Sequence, residues 1–386
     1  MLRKIVFWAH LVCGVAAGLV IAMMSLTGVL LTYERQILAW ADRGDYEPPP
    51  QPAERLPIET LLGAVKLHAP DFEPTAITLA RDPGRPASVT AGRNDTLLVD
   101  PYRGQVLGRG AEGLRSFFQA VTGWHRWFNA SGENRALARA VTGASNLAFL
   151  FLILSGLYLW LPPAFKWVAF RTRLWFNPYA KTAKARDFNW HHVFGIWSAI
   201  PLAVVVATAV VFSYGWANAL VYRAFGEEPP AGRGGRGGPP PAAQGGNGET
   251  PEPRLASAAP ALPLDALFAR AAAQSSRWQT ITLTLPSPGS DTVRFTIDEG
   301  TGGEPQHRHG LTLDSSTGEV REWQPFSSQS PGRRARSYVR FLHTGEALGL
   351  VGQTIAGIVS LTSLVMVWTG LALAYRRLVV PLFRRQ

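Results

Sequence analysis

Histidine is the residue type in this sequence best placed to do chemistry. Of eight histidines, five stand beside the most apolar runs. His10 lies about one turn into the first run, and His191 and His192 open the third. His125, in GWHRWFNASGENR, precedes the second, and His343, in YVRFLHTGEALGL, precedes the fourth. An ionisable ring at the mouth of a membrane helix is costly unless something uses it. Two imidazoles from facing helices fill the two axial positions of a haem iron, and bundle cores commonly hold such cofactors. The set divides into an inner pair, His10 with His191, and an outer pair, His125 with His343, one member from each half of the chain. Rings that rest wet at the headgroup level are the alternative that needs no cofactor.

The spacing around these histidines repeats. His10 is followed by Gly14, Thr27 and Tyr33, and His191 by Gly195, Thr208 and Tyr214, at identical offsets. VTGASNLAFLFLILSGLYL lies over IAGIVSLTSLVMVWTGLAL, which pairs Gly143 with Gly357, Ser155 with Thr369 and Gly156 with Gly370. Gly14 and Gly18 follow His10 at four-residue steps on one helix face, as Gly195 follows His191. A flat macrocycle needs small neighbours of this kind, although glycine at that spacing also lets bare helices pack closely. His191 reproduces the offsets of His10 and is the expected ligand, which leaves His192 for lipid headgroups or a haem propionate. Arg126 and Arg340, close to the outer histidines, suit propionates or an anionic chelate, or simply mark the headgroup level.

The elements that must position these side chains are four apolar runs, 5–33, 138–161, 190–216 and 348–375. Each is long enough to cross a hydrocarbon core of about 30 Å, which takes roughly 20 residues of helix. The first has Arg3 and Lys4 before it but is too long for a signal peptide's apolar region, and reads as a retained helix. Basic residues collect before the first run, between the second and third (Lys166 to Arg186) and after the fourth (Arg376, Arg377, Arg384, Arg385). Short basic flanks stay in the cytoplasm, so both termini and the 162–189 loop are expected inside. Trp167, Phe170, Trp175 and Phe176 in that loop suggest an interfacial segment. The net charge of +11 is thereby explained by topology, which argues against nucleic-acid binding. Cys13 is the only cysteine, so no disulfide or cysteine metal site forms within one chain.

The expected organisation is a first membrane helix over 1–33, an outer domain with a pre-membrane helix over 34–137, and a second membrane helix over 138–161. The basic loop 162–189 and a third membrane helix over 190–216 follow. A Gly/Pro-rich linker over 217–260 leads to a second outer domain with its pre-membrane segment over 261–347, then a fourth membrane helix over 348–375 and a tail over 376–386. LPIETLLGAVKLHAPDFEPTAITL resembles LPLDALFARAAAQSSRWQTITL, and LLVDPYRGQVLG matches LTLDSSTGEVRE, two short strands about an Asp-x-x-x-Gly turn. The fold class is therefore an integral membrane α-helical protein: a four-helix transmembrane bundle with two small α+β outer domains and internal duplication. The linker, with Arg233 and Arg236, has almost nothing to bury and reads as disordered. His307 and His309 form a His-x-His that a strand would put on one face, for a metal or, more simply, for solvent. The insert ASGE, 130–133, makes the first half longer than the second between outer histidine and membrane helix, and is expected to be a loop. His68 needs no special role. No phosphate loop, serine elbow or HExxH motif is present, so nothing points to a hydrolase.

RDFNWHHVFGIWSAIPL, WHRWFNASGENRALARAVTG and FLHTGEALGLVGQTIAG resemble the signature stretches of PepSY-associated transmembrane-helix proteins, and the likeness extends over essentially the whole chain. The resemblance implies PepSY-like periplasmic domains and a place in the bacterial inner membrane, often in iron acquisition. It further implies a ferric-siderophore reductase with two b-type haems, an inner one between His10 and His191 and an outer one between His125 and His343. The implied partners are a ferric siderophore or other ferric chelate, a cytoplasmic electron donor and membrane lipid. A cofactor-free scaffold that regulates a periplasmic protease, and a haem or metal transporter, are the rival expectations.

Overall fold

The four apolar runs form the four longest helices of a computed structural model, which describes residues 1–44, 46–50, 52–92, 95–162, 166–230, 262–287 and 289–383. The first half of the chain runs α1 (Leu2–Leu31), α2 (Glu34–Arg43), α3 (Ile58–His68), β1 (Ala76–Ala80), β2 (Ala87–Ala91), β3 (Asp95–Val99), β4 (Val106–Gly108), α4 (Glu112–Trp127) and α5 (Asn134–Trp160). Then come α6 (Trp167–Leu174), α7 (Ala183–Ser213) and α8 (Gly215–Arg223). The remainder is α9 (Leu264–Ala273), β5 (Thr280–Thr284), β6 (Thr292–Asp298), β7 (Arg308–Asp314), β8 (Val320–Gln324), α10 (Pro331–Thr344), α11 (Gly349–Leu378) and α12 (Val380–Phe383). The chain divides into two compact units, one made of Met1–Glu34, Ser116–Gly237 and Ala335–Gln386, the other of Arg35–Arg115 and Gly238–Arg334.

The first unit is a helix bundle. Helices α1, α5, α7 and α11 lie within the four segments that are long and apolar enough to cross a membrane. Both α1 and α7 pack on α5 and on α11, so α1 and α7 face each other across a diagonal of the bundle. Helix α11 runs antiparallel to α1, with Gly18 against Leu371, Ser25 bonded to Ser363 at 2.8 Å and Gly28 against Ser360. Large apolar side chains such as Leu19, Ile200 and Trp368 point outward, as a lipid-facing surface requires. The basic residues at one end also satisfy helix carbonyls that have no intrahelical partner. Arg3 donates to the carbonyls of Leu159 and Leu161, each at 2.7 Å, and Arg173 to that of Trp160.

Several boundaries differ from the sequence expectation. The third long helix starts at Ala183 and ends at Ser213, where Tyr214 turns extended before α8 begins. Residues 217–223, expected in the linker, are therefore helical, with Ala217 and Tyr222 buried. The low-burial composition begins only after that helix. The Gly/Pro-rich stretch from 231 to 261 lies outside the described residues. The insert at 130–133 does fall between helices, since α4 ends at Trp127 and α5 starts at Asn134.

The second unit holds a single sheet. Both outer segments contribute four strands, joined edge to edge in the order β4-β3-β2-β1-β5-β6-β7-β8, with antiparallel neighbours throughout. The join is β1 on β5, with Ala76 opposite Thr284 and Ala80 opposite Thr280, centred on Thr78 and Thr282, whose hydroxyls bond at 2.8 Å. Alternate residues of each strand face a common core that includes Leu61 and Val65 of α3, Leu267 of α9, and Ile77, Val89, Ile281 and Leu283 of the sheet. The two helices cap one another. Asp265 of α9 accepts from the Ile58 backbone N–H at 2.8 Å, and Glu59 of α3 accepts from that of Leu264 at 2.5 Å. Each carboxylate satisfies an amide that a helix N-terminus leaves unpaired. The two Asp-x-x-x-Gly turns are alike as well. Asp100 accepts from the N–H groups of Tyr102 and Arg103, and Asp314 from those of Ser316 and Thr317. Gly104 and Gly318 take φ of 70° and 68°, a region open to glycine at little cost.

Candidate functional site

The bundle brings together the four histidines that the sequence pairs. His10 on α1 and His191 on α7 meet across the diagonal with ring centroids 6.5 Å apart and planes at 84°. His125 on α4 and His343 on α10 meet with centroids 6.2 Å apart and planes at 63°. Edge-to-face aromatic pairs also occupy this range, so the separation alone does not decide what the rings do. The second ring nitrogens carry further information. His10 Nδ1 lies 2.9 Å from Ser155 Oγ of α5, and His191 Nδ1 lies 3.0 Å from Thr369 Oγ1 of α11. His125 Nδ1 lies 2.9 Å from Thr27 Oγ1 of α1. His343 Nδ1 lies 2.9 Å from the Val205 carbonyl and 3.2 Å from Thr208 Oγ1 of α7.

These contacts suit one tautomer. A hydroxyl has one proton, and each of these donates it to a carbonyl of its own helix. Ser155 donates to Phe151 at 2.6 Å, Thr369 to Val365 at 2.8 Å, Thr27 to Met23 at 2.8 Å, and Thr208 to Val205 at 2.7 Å. The hydroxyl oxygen is then an acceptor, and the histidine donates from Nδ1. Val205 requires the same of His343, because a carbonyl only accepts. With Nδ1 as the donor, Nε2 carries no proton, which is the state a metal-bound imidazole must have.

The separations agree with this reading. Two metal–imidazole bonds of about 2 Å each, with the two ring radii added, come to roughly 6 Å. Glycines open the space beside the rings. A Cβ at Gly156 would sit 3.4 Å from His10 Cε1, one at Gly370 3.3 Å from His191 Cε1, and one at Gly28 3.7 Å from His125 Cε1. The donor set, its protonation and its spacing therefore fit two bis-histidine haem sites. From His10 to Thr27, and from His191 to Thr208, is seventeen residues in each case. At 1.5 Å per residue the two sites lie about 25 Å apart along the bundle, most of the depth of a bilayer core.

The family model described as PepSY-associated TM region matches residues 7–377, nearly the whole chain. The chain belongs to this family. No curated protein matches it. Four helices long and apolar enough to cross a membrane, together with the family match, make this PepSY-associated chain a membrane protein, and its second unit is built on an antiparallel sheet.

The remaining site candidates of this PepSY-associated protein are placed less directly. A Cβ at Gly14 would meet Leu152 at 3.8 Å and one at Gly195 would meet Met366 at 3.6 Å, so both glycines face a neighbouring helix. His192 turns away from His10. Its Nδ1 bonds the Phe188 carbonyl at 2.8 Å and its ring lies on Phe188, 4.1 Å between centroids. Arg126 stacks over Trp127 at 4.7 Å and Arg340 over Phe341 at 5.7 Å. One turn before His191, buried Asp187 binds Arg376 of α11 at 2.6 Å and Arg186 at 2.9 Å, which pins the start of α7. Ser155, Gly156, Thr369, Gly370, Thr27 and Thr208 were visible in the sequence as matched positions, with no role attached. The repeat itself was the signal that could have found them.

In the extramembrane unit the His-x-His does not form a strand pair. His307 ends a 3-10 turn, and only His309 is in β7. His309 is not the solvent-facing residue expected. Its side chain is 13 % exposed, its Nε2 lies 3.4 Å from Glu299, and it stacks on Trp323 at 5.4 Å between centroids. Hydrogen bonding from Ser275 holds the Glu299 carboxyl below its ordinary pKa, against the opposing effect of burial. Among the described residues, no three His, Cys, Asp or Glu side chains gather to hold a bare metal ion.

Proposed function

We propose that this chain is a dihaem oxidoreductase of a bacterial inner membrane. It passes electrons from a cytoplasmic donor to a ferric siderophore or other ferric chelate in the periplasm, as a step in iron acquisition. The observation that carries this reading is the pair of facing imidazole sets at opposite ends of the bundle, each with its Nδ1 protons held by acceptors on the neighbouring helices. His10 and His191 would hold the inner b-type haem, and His125 and His343 the outer one. Bound haem supplies a one-electron couple whose potential follows from axial ligation, burial and nearby hydrogen bonds. The chain's own residues set those terms. Ser155, Thr369 and Thr27 each place a hydroxyl beside Nδ1 of their histidines, and His343 Nδ1 lies beside Thr208 and the Val205 carbonyl. Gly156, Gly370 and Gly28 keep the flanks of the rings clear. Ferric chelates are a fitting acceptor class, because hard oxygen donors favour Fe³⁺ over Fe²⁺ and reduction loosens the chelate.

An optical spectrum with haem quantitation on the purified, full-length protein tests this. The expected result is two haems per chain, six-coordinate and low-spin, reduced by dithionite and reoxidised by a ferric chelate. A protein that binds no haem, with His10→Ala and His191→Ala as stable as the parent, would be a scaffold. Haem or metal flux across vesicles without reduction would make it a transporter.

A further inference from the structure

The sheet buries one face under α3 and α9, and the other face carries a cleft of about 250 Å³. Ser88 of β2, Thr96 of β3 and Thr280 of β5 line it, and their hydroxyls make no hydrogen bond among the described residues. Arg43 and Asp42 of α2, Arg85 from the β1–β2 turn and Arg115 complete the wall. The charges are unequally spent. Asp42 is taken up by a two-point ion pair with Arg115 and by the Ala111 N–H at 3.1 Å. Arg43 is paired with Asp82 at 2.8 Å. Arg85 has no ion-pair partner among the described residues. Desolvation, and then repulsion from Arg43, pull its guanidinium below its ordinary pKa, against the attraction of Asp82 and Asp42, and a bound anion would favour its charged form.

We propose that this cleft binds a small hydroxy acid, with one carboxylate on Arg85 and the remaining oxygens on Ser88, Thr96 and Thr280. A guanidinium presents paired donors that match a carboxylate. Hydroxyls both donate and accept, so they suit a ligand rich in hydroxyl or chelating oxygens. One cation outside the ion pairs of the wall matches one carboxylate better than it matches a dianionic phosphate. The volume lies below that of drug-sized pockets, which restricts the ligand to a small molecule. Such an acid arrives free or as its metal chelate, and the site does not depend on the haem reading.

Isothermal titration of the full-length protein in detergent, with gluconate and citrate as probes, tests the assignment. Each is used alone and as its redox-inert gallium(III) chelate. Saturable binding is expected, weakened about 10- to 100-fold in Arg85→Ala by loss of a charge-assisted contact. Arg85→Lys and Thr280→Val should weaken it less, and they keep the test open should Arg85→Ala fail to fold. Lys66→Ala, a charge change on the Lys66–Glu73 surface pair, should leave it unchanged. Tighter binding of the gallium form assigns the cleft to the chelate, and tighter binding of the acid alone to the free ligand. No saturable heat with any probe overturns the proposal. So does equal loss in Arg85→Ala and Lys66→Ala, or inorganic phosphate binding as tightly as the acids.

Discussion

Ser155→Ala isolates the hydroxyl that orients His10. In the parent the Ser155 oxygen accepts from His10 Nδ1 at 2.9 Å and gives its own proton to Phe151 at 2.6 Å. The substitution removes the acceptor and leaves the ring in place. A buried N–H without a partner costs about 1–3 kcal/mol. Loss of a partner behind a metal-bound histidine commonly weakens metal binding roughly 10- to 100-fold, or about 1.4–2.8 kcal/mol. The two magnitudes agree, so inner-site haem should leave Ser155→Ala at least ten times faster than it leaves the parent. The assay is haem transfer to excess apomyoglobin, followed optically, with a redox titration in parallel. One of two haem populations should become labile and shift in midpoint potential while the other stays as it was. Ser155→Thr should behave as the parent, because Thr369 fills the matching role for His191. The reasoning is refuted if Ser155→Ala keeps both haems with parental rates and potentials, or if Ser155→Thr fails as badly as Ser155→Ala.

Substituting His10 or His191 by Ala should remove one haem and spare the other, and His125→Ala or His343→Ala should do the converse. Pyridine haemochrome counts read this directly, and loss of both haems from one substitution would contradict two separate sites. Asp265→Ala uncaps α3 and Glu59→Ala uncaps α9, each expected to cost about 1 kcal/mol. Denaturant unfolding followed on the extramembrane domain checks it, and unchanged midpoints would remove the caps from the account. Hydrogen bonding from Arg321, then from Ser316, holds the Asp314 carboxyl well below the usual carboxylate range. A depressed folded-state pKa gives stability that is complete above the unfolded value of about 3.9 and is lost as pH falls through the lower, folded value. The acid limb of a stability–pH curve should therefore flatten in Asp314→Asn, and an unaltered limb would count against the assignment.

The four spans were legible because apolar length is a one-dimensional property, and the histidines because their offsets recur. What stayed hidden was whatever depends on distant parts of the chain. Ser155 and Thr369 looked like ordinary small polar residues of membrane helices, and only the diagonal placement of α1 and α7 turns them toward histidines. The β1–β5 join was equally hidden, since strand patterns such as AITLA and TITLT declare their faces but not their edge partners, and the two segments read as separate domains. Helix α8 falls in the expected linker because it is only 9 residues long and stands between the third apolar run and the Gly/Pro-rich stretch. Solvent is the expected place for His309 because no further ligand stands near it in the sequence, whereas the fold brings Glu299 and Trp323 against it.

The strand join at the centre of the sheet sets a timetable for biosynthesis. Thr78 and Thr282 are 204 positions apart, with two membrane passages between them. At about 5–20 residues per second, the outer edge of β1 stands open for roughly 10–40 s after it leaves the ribosome. Its pairing is centred on one threonine in each strand, so an unfinished chain presents an edge suited to another unfinished copy of itself. Ribosome stalling in the interval between the second and third membrane passages should therefore yield dimers of half-made protein.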